Sequence, residues 1–323
     1  MSARRSFVGA GFAAAALLAV NAWAAGYPEK SIRIVVPFAA GSGTDVIARA
    51  TATALSTRMR VPVAVQNMPA NDGAAGTTAV AKAKPDGYTL LFTSTPLTIT
   101  PHLQKTPSYD PDKDLVAVAR VAVIPLVLVT SGKSHFKTFD ELAAGLGQNP
   151  GKLRYATTGR GAPSRLEAEL LLHHLQAQAQ DQPYRNDADA LAATASGQVD
   201  FFVANLPGAL AQLNSGSLHA LAVSSAERLP AMPDLPTLAE GMRRTGYEAS
   251  VWFGMLAPAG TPSQVLTRLE NEIEYELAVP AVRARIEKAG GRVAFLRSAP
   301  FGAQVRAEYR KWEQVAKARK PQS

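Results

Sequence analysis

Four short stretches of the chain concentrate residues suited to gripping an anion. The first reads Pro37-Phe38-Ala39-Ala40-Gly41-Ser42-Gly43-Thr44-Asp45. Glycines let backbone N–H groups approach a ligand closely, and a following helix start adds a partial positive charge. That combination suits a carboxylate or a phosphate. A tight turn with Ser42 or Thr44 as N-cap accounts for the same residues. A dinucleotide loop is disfavoured, because Val46 stands where the third glycine would fall.

The second stretch, Thr93-Ser94-Thr95-Pro96, places three hydroxyls after a strand-like run. Hydroxyls donate to an anion at little cost in bulk, and they also serve plain turn chemistry. The third, Thr157-Thr158-Gly159-Arg160-Gly161-Ala162-Pro163-Ser164-Arg165, repeats the design of the first with two arginines added. Arg160 or Arg165 offers a two-toothed hydrogen bond to a carboxylate; each also suits a solvated surface. The fourth is Asn205-Leu206-Pro207, where a strand ends in an amide that both donates and accepts.

Chemistry beyond binding finds little support. No Gly-x-Ser-x-Gly elbow, P-loop glycine-lysine motif or His-Glu-x-x-His occurs. His173 and His174 are adjacent on a helix and cannot face one way, so they make a poor metal pair. Asp187 and Asp189, near Tyr184-Arg185-Asn186, read as a charged loop as readily as an acid–base pair. There is no cysteine, which removes disulfides, thiolate metal sites and catalytic thiols. No cofactor and no metal are expected.

The elements that must position these loops follow an alternating pattern. Runs rich in β-branched residues at 31–38, 61–66, 88–93, 116–121 and 126–130 read as strands. Helical spacing appears at 44–59 and 73–83. The second half continues with helices at 138–146, 164–178, 207–214, 280–289 and 300–317, and strands at 153–157, 199–203, 220–224 and 250–257. Capping boxes are read at Thr138/Glu141, Ser164/Glu167 and Thr237/Glu240. Another helix is expected to open at Thr261-Pro262, with Gln264 completing its box. Alternation of this kind predicts an α/β fold with a mainly parallel sheet in each of two lobes.

The two lobes follow from the likeness of the halves and from extended sequence near Ile124-Pro125 and Ser250. The expected division is residues 25–124 and 250–323 in one lobe and 125–249 in the other. Two extended crossings form a hinge with a cleft between the lobes. In such folds ligands bind at the carboxyl ends of strands. Two of the four loops belong to each lobe, so they are expected to face one another across the cleft.

Composition sets the compartment. The chain has 323 residues, 47% of them apolar, which excludes wholesale disorder. Arg4 and Arg5 precede an alanine-rich apolar run from Phe7 to Val20, then Ala22-Trp23-Ala24. Residues 1–24 therefore read as a secretory signal peptide, and Arg4-Arg5-Ser6-Phe7-Val8 resembles a twin-arginine export motif. The expected mature protein is soluble and lies outside the cytoplasm. The 34 basic against 26 acidic residues give a formal charge of +8. The positive charges are scattered, without aromatic interleaving, so nucleic acid is not an expected partner; the charge is a mild bias toward anionic ligands.

With these residues assembled, the sequence resembles the Bug (Bordetella uptake gene) receptors, the solute-binding subunits of tripartite tricarboxylate transporters. The marks are Ile34-Val35-Val36-Pro37-Phe38 with Gly41, Gly43, Thr44 and Asp45, and Pro85-Asp86-Gly87-Tyr88-Thr89-Leu90-Leu91. Others are Gly197-Gln198-Val199, Asn205-Leu206-Pro207, Pro233-Asp234-Leu235-Pro236-Thr237, and Trp252-Phe253-Gly254 followed by Ala257-Pro258-Ala259-Gly260-Thr261-Pro262. The resemblance implies a two-lobed periplasmic binding fold (type II-like, a Venus flytrap) that closes on a small organic carboxylate or amino acid. It also implies delivery to transporter subunits in the cytoplasmic membrane.

The ligand positions it implies are Phe38, Ala39, Gly41, Gly43, Thr44 and Asp45, then Thr93, Ser94 and Thr95, with Thr157, Thr158, Gly159, Ser164 and Asn205 from the other lobe. Ser42 and Arg160 join the candidate ligand residues from the reading of their loops alone. Asp45 is expected to order its loop rather than touch an anion, which it would repel. The family usually has a small or polar residue at the Arg160 position, often histidine at Arg165, and often Tyr-Lys-Gly at Tyr184-Arg185-Asn186. These departures leave the ligand unnamed. A ligand sensor signalling to a membrane partner would share the fold; a secreted hydrolase would need a nucleophile beside a base, which the sequence lacks.

Overall fold

A computed structural model shows how the alternating runs pair. It describes residues 26–318 except 72, 105, 159–161, 246 and 248. The expected signal segment 1–24, and Gly159 and Arg160 of the third loop, lie outside the described residues.

The first part of the chain runs β1 (Ile32–Val36), α1 (Gly43–Met59), β2 (Val63–Asn67), α2 (Ala74–Ala81), β3 (Thr89–Ser94), α3 (Pro96–Leu103) and β4 (Leu115–Ile124). The middle holds β5 (Leu126–Ser131), α4 (Phe139–Gln148), β6 (Arg154–Thr157), α5 (Pro163–His174), β7 (Gln180–Pro183), α6 (Asp187–Ala195), β8 (Phe202–Asn205), α7 (Leu206–Asn214), β9 (Leu218–Val223) and α8 (Leu238–Gly241). The last part is β10 (Val251–Pro258), α9 (Ser263–Ala278), α10 (Pro280–Lys288), β11 (Arg292–Arg297) and α11 (Ser298–Ala318).

One six-stranded sheet has the order β11-β4-β10-β3-β1-β2 and draws only on the first and last parts. The middle part forms a three-stranded sheet, β8-β5-β9, and a two-stranded one, β6-β7. The α/β alternation therefore stands, but the expectation of mainly parallel sheets needs correction. Among the named strands, the parallel pairs are β1 with β2 and β3, and β6 with β7. Strand β10 runs antiparallel to both β3 and β4, and β5 antiparallel to both β8 and β9. The cause is where these strands start. β10 begins beside the ends of β3 and β4, with Val251 opposite Ile124 and Phe253 opposite Ser94. β5 begins where β8 and β9 end, with Leu126 opposite Asn205 and Val127 opposite Val223. A strand entering at its neighbours' finishing edge can only run against them.

Apolar burial holds these layers. Ile34, Ile47, Leu55 and Phe92 are completely buried in one cluster that continues through the crossing residues Leu126 and Val251 to Leu128 and Phe201. Each such side chain contributes roughly 1.5–3 kcal/mol. A second cluster joins Val127, Val129, Phe202 and Ala204 to α6 and α7. Trp252 is fully buried, packs edge-on against Phe301 at 5.1 Å, and donates its Nε1–H to Glu308 at 2.6 Å. No described helix is long and apolar enough to cross a membrane.

Two of the expected capping boxes form, Thr138 with Glu141 and Thr237 with Glu240. Two do not. Helix α5 starts at Pro163 with Ala162 at its cap, so Ser164 lies inside the first turn and Glu167 is buried elsewhere. Helix α9 starts after Pro262, and the Thr261 hydroxyl donates to the Pro258 carbonyl instead.

Candidate functional site

Strand ends determine where the four loops meet. β1 and β3 are parallel neighbours, so the loops leaving them, 37–43 and 95, emerge at one edge of the six-stranded sheet. Both chain crossings leave the same edge, since Ile124 pairs with Val251 and Ser94 with Phe253. Beyond the crossing, Asn205 at the end of β8 lies opposite Leu126. A parallel bridge between Tyr155 and Phe201 sets the end of β6, and so Thr157, on that side too. All four strand exits thus flank the joint between the two parts of the molecule.

The first loop is fastened by a buried carboxylate. Gly41 turns the chain at φ +81°, a left-handed conformation that glycine adopts without strain. The turn sends its N–H to Asp45 Oδ2 at 2.8 Å. Asp45 also accepts from Asn67 Nδ2 at 2.8 Å and from Arg49 Nε at 3.0 Å. Asn67 donates in addition to the Phe38 carbonyl at 3.0 Å, and accepts from the Arg49 guanidinium at 2.8 Å. Burial by itself would raise the Asp45 pKa; the Arg49, Gly41 and Asn67 hydrogen bonds outweigh it and hold the carboxyl below its ordinary value.

Ser42 caps α1, its hydroxyl accepting from the Asp45 N–H at 3.3 Å. The N–H groups of Gly43 and Thr44 then stand at the first helical positions, where an intrahelical acceptor does not exist. Ala39, Gly41 and Gly43 are exposed, while Phe38 is half-buried and Thr44 buried. The sequence reading missed Arg49 and Asn67. The signal for Arg49 was its i+4 spacing from Asp45; Asn67, at the end of β2, offered none.

Thr93, Ser94 and Thr95 are all buried. The Thr95 hydroxyl accepts the Trp252 N–H at 3.2 Å, tying the second loop to the start of β10. In the third loop, Thr157 donates its hydroxyl to Asp181, and the Thr158 and Ser164 hydroxyls lie 3.2 Å apart. Arg165 bridges Glu169 at 2.9 Å and Asp181 at 2.8 Å. Its fork is therefore engaged within the chain. Arg185 is 85% exposed and pairs with Asp189.

In the fourth loop, the Asn205 amide donates to Asp187 at 2.6 Å, and the Leu206 N–H to the Pro125 carbonyl at 3.1 Å. Asp187 belongs to α6, a helix read from sequence as a loop. Its signal was Asn186, whose side chain accepts the Asp189 N–H as an N-cap, with two acidic residues in the first turn.

Several contacts bridge the parts, among them the packing of Leu166 against Ile99 and Trp312 and the two that follow. Thr95 and Pro163 line the same small cavity, together with the crossing residues Leu126 and Ala249–Val251. Gly290, after α10 at φ +82°, approaches Pro207 so closely that a Cβ there would lie 2.9 Å from the proline ring. Among the described residues no group of three or more His, Asp or Glu side chains is arranged to hold a metal.

Comparison with known proteins agrees with this geometry. Residues 47–320 match the family described as "Tripartite tricarboxylate transporter family receptor". BugT of Bordetella pertussis is 36% identical over 273 residues, covering 84% of this chain and 83% of its own. The periplasmic binding protein BugD superposes with a TM-score of 0.68 at 33% identity, covering 90% of this chain and 98% of its own. MatC from Rhodopseudomonas palustris, solved with bound malate, gives 0.68 at 30% identity over 90% of this chain and all of its own. These likenesses carry the two-lobed periplasmic binding fold and a receptor's role rather than an enzyme's. The chain belongs to the tripartite tricarboxylate transporter receptor family and, within it, to the Bug proteins.

Proposed function

We propose that this receptor captures a small organic dicarboxylate between its lobes and delivers it, unchanged, to transporter subunits in the cytoplasmic membrane. The lobes are residues 25–124 with 250–323, and residues 125–249, hinged at 124–126 and 249–251. One ligand carboxylate sits at the start of α1, on the Gly43 and Thr44 N–H groups, with the Ser94 hydroxyl beside it. The opposing lobe supplies Thr157, Thr158 and Ser164, with Asn205 at the far side. The protein acts as a periplasmic monomer after removal of residues 1–24.

The observation that carries this reading is the convergence of four strand exits on one joint. Helix-start N–H groups and hydroxyls favour an anion without a compensating buried cation. The malate bound by MatC makes dicarboxylates the first class to test. Closure orders loops and strips water from the ligand, so a net affinity near micromolar, about −8 kcal/mol, is expected.

Thermal unfolding of the refolded, ligand-free protein against mono-, di- and tricarboxylates and amino acids tests the class. A ligand at a hundred times its Kd stabilises by about 2.7 kcal/mol, a rise of roughly 5 °C for a protein of this size. A rise confined to amino acids, or to no compound at all, would overturn the dicarboxylate reading.

A further inference from the structure

The cavity at the joint meets the ligand loops only at Thr95 and Pro163, and of the candidate ligand residues Thr95 alone lines it. Its volume is about 20 Å³. That exceeds the roughly 10–15 Å³ needed for one water molecule. Its wall includes Ser250, which is 6% exposed and whose Oγ has no hydrogen-bond partner among the described residues. A buried hydroxyl without a partner is rare in native proteins, and ordered water is the usual remedy.

The rest of the wall is mainly apolar, so a water there would depend on the few polar side chains that reach it. Glu167 enters from α5, and Glu308 and Lys311 from α11. Glu167 is almost wholly buried and accepts a hydrogen bond from the Tyr247 hydroxyl. One Glu308 oxygen takes the Trp252 Nε1–H. Lys311 Nζ lies 5.0 Å from the Trp312 ring centroid.

We propose that this cavity is a specific site for one water molecule, held by Ser250 Oγ and by Glu167 or Lys311, which links the return crossing to both lobes. α5 comes from the middle of the chain and α11 from its last part, so the site is complete only when the two are docked as here. The water is a structural joint under the cleft, separate from any water at the ligand.

Two measurements on the ligand-free protein test it, so the outcome is independent of whether a dicarboxylate binds. A high-resolution crystal structure of the wild type in this lobe arrangement should show a single peak about 2.6–3.2 Å from Ser250 Oγ. In solution, water ¹⁷O relaxation dispersion should count one fewer long-lived internal water in Ser250→Ala than in the wild type. Equal counts, a Ser250 hydroxyl bonded to protein, or a cavity without a peak would each overturn the proposal.

Discussion

Asn67 Nδ2 and Asp45 Oδ1 lie 2.8 Å apart, and this bond joins the end of β2 to the start of α1. Because Asn67 also holds the Phe38 carbonyl and Asp45 the Gly41 N–H, one amide and one carboxylate fix both ends of the first loop.

Removing that carboxylate should therefore loosen the loop as well as the fold. Asp45→Ala leaves a backbone N–H, an amide and part of a guanidinium without their acceptor, a cost of about 1–3 kcal/mol. Urea unfolding measures it. Asp45 has a lowered pKa in the folded state. It thus contributes stability that is present above its unfolded value, about 3.9, and lost as pH falls through the folded value. The acid limb of the stability curve should accordingly shrink in Asp45→Asn; an unchanged limb would show that the carboxylate is not held this way.

Gly290 and Pro207 offer a second test, because they belong to different lobes in the proposed division. Gly290→Ala puts a methyl into the Pro207 ring and a Cβ at φ +82°. The backbone conformation alone costs about 1 kcal/mol. The clash adds a bias against the docked arrangement. Small-angle scattering of the saturated variant should show a larger radius of gyration than the wild type. Equal radii would mean that the contact does not limit closure.

His174 gives the molecule a pH dependence of its own. Burial, then the charges of Arg244, His173 and Lys311, push its pKa down to about 4. The unfolded chain titrates near 6.5 and so binds the proton first. Stability from His174 is full above pH 6.5 and lost as pH falls toward 4. Glu167 acts with the opposite sign, since burial raises its pKa and favours its neutral form at low pH. The comparison must then be wild type against His174→Gln, which should lose less stability between pH 7 and 5. Parallel slopes would remove His174 from the pH response.

Much of this molecule was legible in its residues. β-branched runs located β1, β3, β4 and β5 because buried strands tolerate little else. Thr138 and Thr237 announced their helices because a capping box needs only local bonds. Ser164 and Glu167 carried the same spacing and misled, since Glu167 is drawn into a tertiary contact with Tyr247. Helix α3 was missed because Pro101 sits inside it, and β11 because its partner β4 lies about half the chain away. In the site, glycines and hydroxyls marked the loops and the i+4 spacing from Asp45 pointed to Arg49, whereas Asn67, which also holds the first loop in shape, is visible only once β2 lies beside β1.

The central claim is that a carboxylate is held at the start of α1. Gly43 gives the most direct test: a Cβ there meets nothing within 4 Å, so Gly43→Asp should fold normally while setting a like charge in the loop. Titration calorimetry of both proteins against C4 to C6 di- and tricarboxylates should give a Kd near micromolar for at least one compound with the wild type. The same compound should give no measurable heat with Gly43→Asp. A folded wild type that binds none of them, or a variant that binds as tightly as the wild type, would contradict the claim.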